Sequence, residues 1–224
     1  MASRTFGHVT VTTPDLDEPG LYLSRVNTLD PPRGSVRDFS YGEANLRSLD
    51  LEDTQLITGR ISDLRCERVE FEALNLHGVE IVGSDLGAAR WSESKLTRVV
   101  FRDCKLMGAV LHRLVLDDVL FEGCRLDFAT FEKIRAAGPV VFAGCALTEA
   151  TFADCDLTYA VFRDCMLTRT EFGPGRYRDT DLRGNDIAAV RGVANLSKVL
   201  IGPEQQPDLA HALVAELGIS VGDD

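Results

Sequence analysis

The chain has 224 residues, is 45% hydrophobic and 26% charged, and carries a formal net charge of −11. That acidic balance argues against direct nucleic-acid binding, whose affinity comes mainly from Lys and Arg displacing counterions, and suits a basic partner instead. No apolar run approaches the roughly 18 residues of a membrane span, and the opening MASRTFGHVTVTT lacks the continuous apolar stretch of a secretory signal, so a soluble, cytoplasmic protein with no membrane contact is expected.

Residues 1–35 are irregular. Phe6, Val11, Leu16, Leu21 and Val26 fall on a five-residue beat, but Pro14, Pro19, Pro31 and Pro32 interrupt it. The segment reads as an N-terminal cap or a degenerate first coil.

From Val36 to Ile187 the beat is sustained. Stepping by five from Leu46, almost every position through Leu51, Leu56, Ile61, Phe71, Leu76, Trp91, Leu106 and Phe121 to Phe131 is bulky and apolar, Cys66 being the exception. The series resumes from Phe142 after a single slip. Neither a 3.6-residue helix nor a two-residue strand keeps a five-residue beat on one face, which leaves a repeating coil. A longer period sits above it: FRDCKL at 101, FEGCRL at 121, FAGCAL at 142 and FRDCML at 162 recur at intervals of 20, 21 and 20 residues. Four quintets therefore make one turn of a square-sided coil, with each central residue pointing inward and its immediate neighbours outward. The residue two before each centre also points inward and must be small, as at Ala44, Ala89, Ala109, Ala129, Ala150 and Ala160. Phe101, Phe121, Phe142 and Phe162 are predicted to stack along one side, with Phe71, Trp91, Phe131, Phe152 and Phe172 along the opposite one. Thirty centres give about seven and a half coils and, at strand spacing of about 4.8 Å, a rod of roughly 36 Å. The slip lies in EKIRAAGPVV, where Gly138-Pro139 predicts a corner bulge.

Five of the six cysteines, Cys104, Cys124, Cys145, Cys155 and Cys165, occupy the small inward position, and no CxxC pair occurs. Four of them, Cys104, Cys124, Cys145 and Cys165, would form a vertical column of free thiols, because strand spacing exceeds the Cβ separation a disulfide prefers.

Residues 191–224 change character. The run PEQQPDLAHALVAEL, Pro203 to Leu217, places Leu209, Ala212, Leu213 and Leu217 on one helical face, with Gly218 placed to end the helix. It reads as a helical cap over the last coil or a dimerisation extension.

The quintets ANLRS (Ala44–Ser48), CDLTY (Cys155–Tyr159) and TDLRG (Thr180–Gly184) resemble the A(D/N)LXX unit of the pentapeptide-repeat proteins, and the resemblance covers about residues 36–190. It implies an all-β solenoid, a right-handed quadrilateral β-helix, here with a short C-terminal α-helix; the hand comes from the resemblance, since the period constrains only the length of a turn.

No grouping for chemistry stands out. His8, His77, His112 and His211 lie far apart without a second ligand or nucleophile at a meaningful spacing, and no phosphate-cradling loop, nucleophile elbow or zinc motif is present. No catalytic, cofactor-binding or metal residues are assigned, and the chain is not expected to be an enzyme.

The surface is more informative. The side centred on Leu51, Phe71, Trp91, Leu111, Phe131, Phe152 and Phe172 carries Asp50, Glu52, Asp53, Glu70, Glu72, Glu93, Glu132, Asp154 and Glu171 against Arg90, Arg113 and Lys133, a net −6. Over six coils this is about one negative charge per 5 Å, against one phosphate per ~3.4 Å on a DNA strand. The chain is most similar to the DNA-mimicking family members of the Qnr and MfpA type, with the few projecting loops and helical tail of the latter. That resemblance implies binding to DNA gyrase or another type II topoisomerase, modulation of its inhibition by fluoroquinolones or toxins, and a homodimer through the C-terminal extension. The alternative is a generic protein–protein interaction or structural module with an unrelated partner. An outward column, Val100, Leu120, Val141 and Val161, points either to a hydrophobic partner or to the β-branched preference of any strand surface.

Overall fold

A five-residue apolar beat requires the backbone to turn a corner every fifth residue. The structure, a computed structural model describing residues 2–31, 34–220 and 222, has those corners. Five eight-residue strands, Ser35–Gly42, Gln55–Ser62, Asn75–Val82, Lys95–Arg102 and Val115–Glu122, each cover two adjacent sides of the coil and pair in parallel at a constant offset of 20 residues. Leu56, Leu76, Leu96 and Leu116 fall above one another on the first of these sides, and Ile61, Ile81, Phe101 and Phe121 on the second. A further side is a seven-stranded parallel sheet running from Leu49–Glu52 to Glu171–Phe172. The remaining side is held mostly by single bridges from Arg65↔Asp85 to Ala146↔Met166. The whole is a parallel, four-sided β-solenoid of about seven turns.

Most corners use the residue two after the centre in a left-handed conformation, as at Asp63 (φ 51°), Asp103 (φ 53°) and Asp154 (φ 53°). Asp tolerates this region better than most residues with a side chain. The inserted residue is absorbed at the corner after Ala136, where the offset changes from Leu116↔Ala136 to Val119↔Val140. The carbonyl of Leu116 accepts from both Ala137 and Gly138, at 2.7 and 3.4 Å, so the bulge costs no unpaired amide. A Cβ on Gly138 would lie 2.0 Å from Asp117 Oδ1. A side chain there would require the Asp117 carboxylate to turn aside.

The interior is a column of stacked rings and leucines. Phe101, Phe121, Phe142 and Phe162 stack with centroids 4.7, 4.9 and 4.8 Å apart. Phe131, Phe152 and Phe172 stack opposite, and Trp91 meets Phe71 edge-on at 5.0 Å. The aromatic column is therefore continuous in the C-terminal half and gives way to Leu and Ile toward the N-terminal end.

The small inward position also satisfies backbone. Thr170 and Thr180 donate their hydroxyls to the carbonyls of Leu147 and Leu157 in the coil below, both at 2.8 Å. Cys104 makes the same contact to Ile81 at 3.2 Å and Cys165 to Phe142 at 3.3 Å. The cysteines are small fillers, as their position requires, and weak donors to a carbonyl of the coil below as well. All six are free and buried.

One exception shows how tight the column is. Phe39 occupies the small position and is fully buried, and Gly59 stands directly above it in register. A Cβ on Gly59 would lie 2.2 Å from the Phe39 ring. Gly59→Ala is therefore expected to destabilise by about 1–3 kcal/mol, and by little in a Phe39→Ala background; a double-mutant cycle by denaturant melts reads that coupling.

The ends differ. Parallel stacking runs beyond residues 36–190, from Ser24↔Phe39 to Asp181↔Leu200. Leu29 closes the first coil. At the other end Asn185 donates to the carbonyls of Phe162 and Leu182, and the buried Gln205 donates to those of Leu182 and Asn185 at 2.9 and 2.7 Å. These amides take the place of a next coil, and helix α1 (Gln206–Glu216) follows them.

Residues 2–13 neither cap the coil nor continue it. They form an antiparallel hairpin, β1 (Ala2–Phe6) with β2 (Val9–Thr13), lying on the flank of the rod. VTVTT has the two-residue alternation of a strand, and the coincidence of Phe6 and Val11 with the beat of five masks it.

Candidate protein-binding faces

The seven-stranded side positions the acidic residues in three outward columns. Asp50, Glu70, Arg90, Val110, Thr130, Thr151 and Glu171 form the first, and Glu52, Glu72, Ser92, His112, Glu132 and Ala153 the second. Asp53, Glu93, Arg113, Lys133 and Asp154 occupy the left-handed corner beside them.

The charge is unevenly distributed along this side. Glu93 is paired with Arg113 at 2.7 Å, and Glu132 lies 3.2 Å from His112 and 3.3 Å from Lys133. Lys133 and His112 hold the Glu132 carboxyl below the usual carboxylate range. Asp154 lines a shallow groove with Lys133, Arg135 and Arg176. Glu171 stands in register with Arg191 and lines an open groove of about 610 Å³ against the Ala212–Glu216 stretch of α1. Five of the nine acids, Asp50, Glu52, Asp53, Glu70 and Glu72, lie together on the first two coils of the side, all exposed, with no ion-pair partner among the described residues. Asp50 faces Glu70, and Glu52 faces Glu72, on neighbouring strands. Like charges so placed cost stability, so this end of the side holds repulsion that a basic surface relieves.

The opposite side carries the apolar column. Val100, Leu120, Val141 and Val161 are not presented to solvent: with Val9 and Val11 of β2 they make a second, separate apolar cluster, flanked by Phe6. The chain itself supplies the cover for this stripe. Glu122 takes ion pairs from Arg4 and, at 3.0 Å, from Arg102, which hold its carboxyl below the ordinary range.

On helix α1 the four residues assigned to one face divide. Ala212 is buried and Leu209 packs on the last coil, whereas Leu213 is 38% and Leu217 59% exposed. Ile219, beyond the helix, adds to the exposed group at 53%. Glu216 fixes the helix by accepting the Val193 N–H at 2.7 Å.

Chemically these faces offer charge and shape. Burial pushes the Cys155 thiol up to about 12, and Cys104 and Cys145 are raised by their neighbours in the cysteine column and by burial. Such thiols are poor nucleophiles. Among the described residues no group of three or more His, Cys, Asp or Glu is placed to hold a metal ion, and no helix is long and apolar enough to cross a membrane.

A four-sided parallel coil filled by its own side chains is a solenoid scaffold presenting flat faces. A family model described as pentapeptide repeats matches it in eight copies, at residues 75–113 and 140–173. Over these residues the coil is built of pentapeptide repeats. Among solved structures it is similar to a trypsin-treated variant of QnrB1, a plasmid-mediated fluoroquinolone resistance protein, with 18% identity, a TM-score of 0.46, and coverage of 82% of this chain and 100% of that one. Full-length QnrB1 gives 16% identity and a TM-score of 0.44 over 80% of this chain and 99% of that one. HetL, a pentapeptide repeat protein involved in heterocyst differentiation regulation in the cyanobacterium Nostoc sp., gives 16% and 0.33 over 74% of this chain and 86% of that one. No curated protein matches the chain.

Proposed function

We propose that this protein is a cytoplasmic, non-catalytic DNA mimic that binds DNA gyrase or another type II topoisomerase through its acidic side and modulates inhibition of that enzyme by drugs or toxins. The observation that carries the reading is the group of exposed carboxylates Asp50, Glu52, Asp53, Glu70 and Glu72 on the first two coils, which have no ion-pair partner among the described residues. Coils about 4.8 Å apart repeat charge on the same scale as the ~3.4 Å phosphate spacing of a DNA strand, so a groove built for phosphates meets a similar field. The neutralised middle of the side contributes shape, and the N-terminal end contributes charge. Interferometry with immobilised gyrase at 50 and 200 mM salt tests this directly. Affinity falling steeply with salt supports the reading, and no binding at micromolar concentrations removes it.

The exposed Leu213, Leu217 and Ile219 favour pairing of two chains through the C-terminal extension. Leu213→Asp with Leu217→Asp is expected to shift the sedimenting mass from twice 24.6 kDa to 24.6 kDa without loss of coil structure. A wild-type chain already sedimenting at the single mass contradicts this part of the proposal.

A further inference from the structure

The β1–β2 hairpin is joined to the coil differently from every coil to its neighbour. Its two strands pair only with each other, and among the described residues no backbone–backbone hydrogen bond connects them to the solenoid. What holds it is the small apolar cluster around Val9 and Val11, separate from the main core, and polar contacts around its rim. Those contacts are Arg4 with Glu122, the Thr12 N–H to Asp118 Oδ1 at 2.8 Å, and His8 near Asp181 at 3.7 Å. Just beyond β2, Asp17 reaches Arg60 at 3.2 Å. A lone hairpin is marginal in water, so its order depends on this docking.

The stripe underneath is not required by the coil. In the first coils the same outward column holds Ser40, Arg60 and Glu80, and it becomes apolar only over Val100, Leu120, Val141 and Val161, where β2 lies. Polar groups resume at Asp181. The extent of the stripe matches the extent of its cover.

We propose that the hairpin is a lid: it opens as a local unit while the coils stay intact, uncovering an apolar stripe on the side opposite the acidic one. Because neither the coil ladder nor the main core passes through it, opening breaks no contact that stacks one coil on the next.

Hydrogen exchange by mass spectrometry on the full chain tests this. The amides of residues 9–13 are expected to exchange about 100-fold or more faster than those of residues 119–121. Val11→Asp is expected to free the hairpin amides, leave the coil amides within about threefold of wild type and raise binding of an apolar dye. Hairpin and coil amides exchanging in step in the wild-type chain, or Val11→Asp releasing the coil as well, would overturn the proposal.

Discussion

Leu106→Asp is expected to abolish the folded coil. Leu106 is fully buried, in the leucine column between Leu86 and Leu126, and its immediate neighbours Lys105 and Met107 point out of the interior. Removing the leucine alone costs about 2–5 kcal/mol, because stacked coils close poorly around a cavity. An unpaired carboxylate in that interior adds several kcal/mol more, and the sum reaches the whole stability of about 5–15 kcal/mol typical of a domain. A solenoid amplifies the loss, since each coil is stable only against its neighbours. Far-ultraviolet circular dichroism and size exclusion are expected to report loss of the native fold for Leu106→Asp, and a folded, less stable protein for Leu106→Ala. A native-like melt for Leu106→Asp would mean that the interior is not the closed column described here.

Charge reversal at the N-terminal end of the acidic side is the other large effect. Glu52→Lys, Glu70→Lys and Glu72→Lys replace exposed residues in the like-charged cluster, so their cost to stability is small: Glu70→Lys relieves the facing Asp50–Glu70 pair, while reversing both Glu52 and Glu72 leaves the Glu52–Glu72 pair like-charged. Binding to a basic groove behaves in the opposite way. Each lost contact at an electropositive surface removes about 1 kcal/mol or more, and reversal adds repulsion, so the triple variant is expected to bind gyrase at least 100-fold more weakly and with less dependence on salt. The same reversal at Glu93 and Glu132, already paired with Arg113, His112 and Lys133, is expected to have a much smaller effect on binding.

Much of this was legible in the sequence, because a period is a one-dimensional property. The beat of five, the four-quintet turn, the facing aromatic columns, the cysteine column and the corner at Gly138-Pro139 all follow from spacing. What spacing hides is anything that leaves the coil. The hairpin was invisible as such because Phe6 and Val11 satisfy both the beat of five and the alternation of a strand, and the apolar column Val100 to Val161 therefore had no visible occupant. The uneven charge along the acidic side could have been read: Glu93 and Arg113, or His112 and Glu132, are one turn of 20 residues apart and must be neighbours. Counting charge by side, and not coil by coil, conceals it. The split of the helical face, with Ala212 buried and Leu217 exposed, depends on how α1 lies across the last coil, which no periodicity encodes.

The central claim is that the acidic end of the rod occupies a DNA-binding groove. The most direct measurement is supercoiling by purified bacterial gyrase titrated with this protein and with the Glu52→Lys, Glu70→Lys, Glu72→Lys variant, at two salt concentrations, with and without a fluoroquinolone. The account predicts inhibition or drug rescue by the wild-type chain that weakens with salt and is lost in the variant. Equal effects of the two proteins, or no effect of either at micromolar concentration, would contradict it.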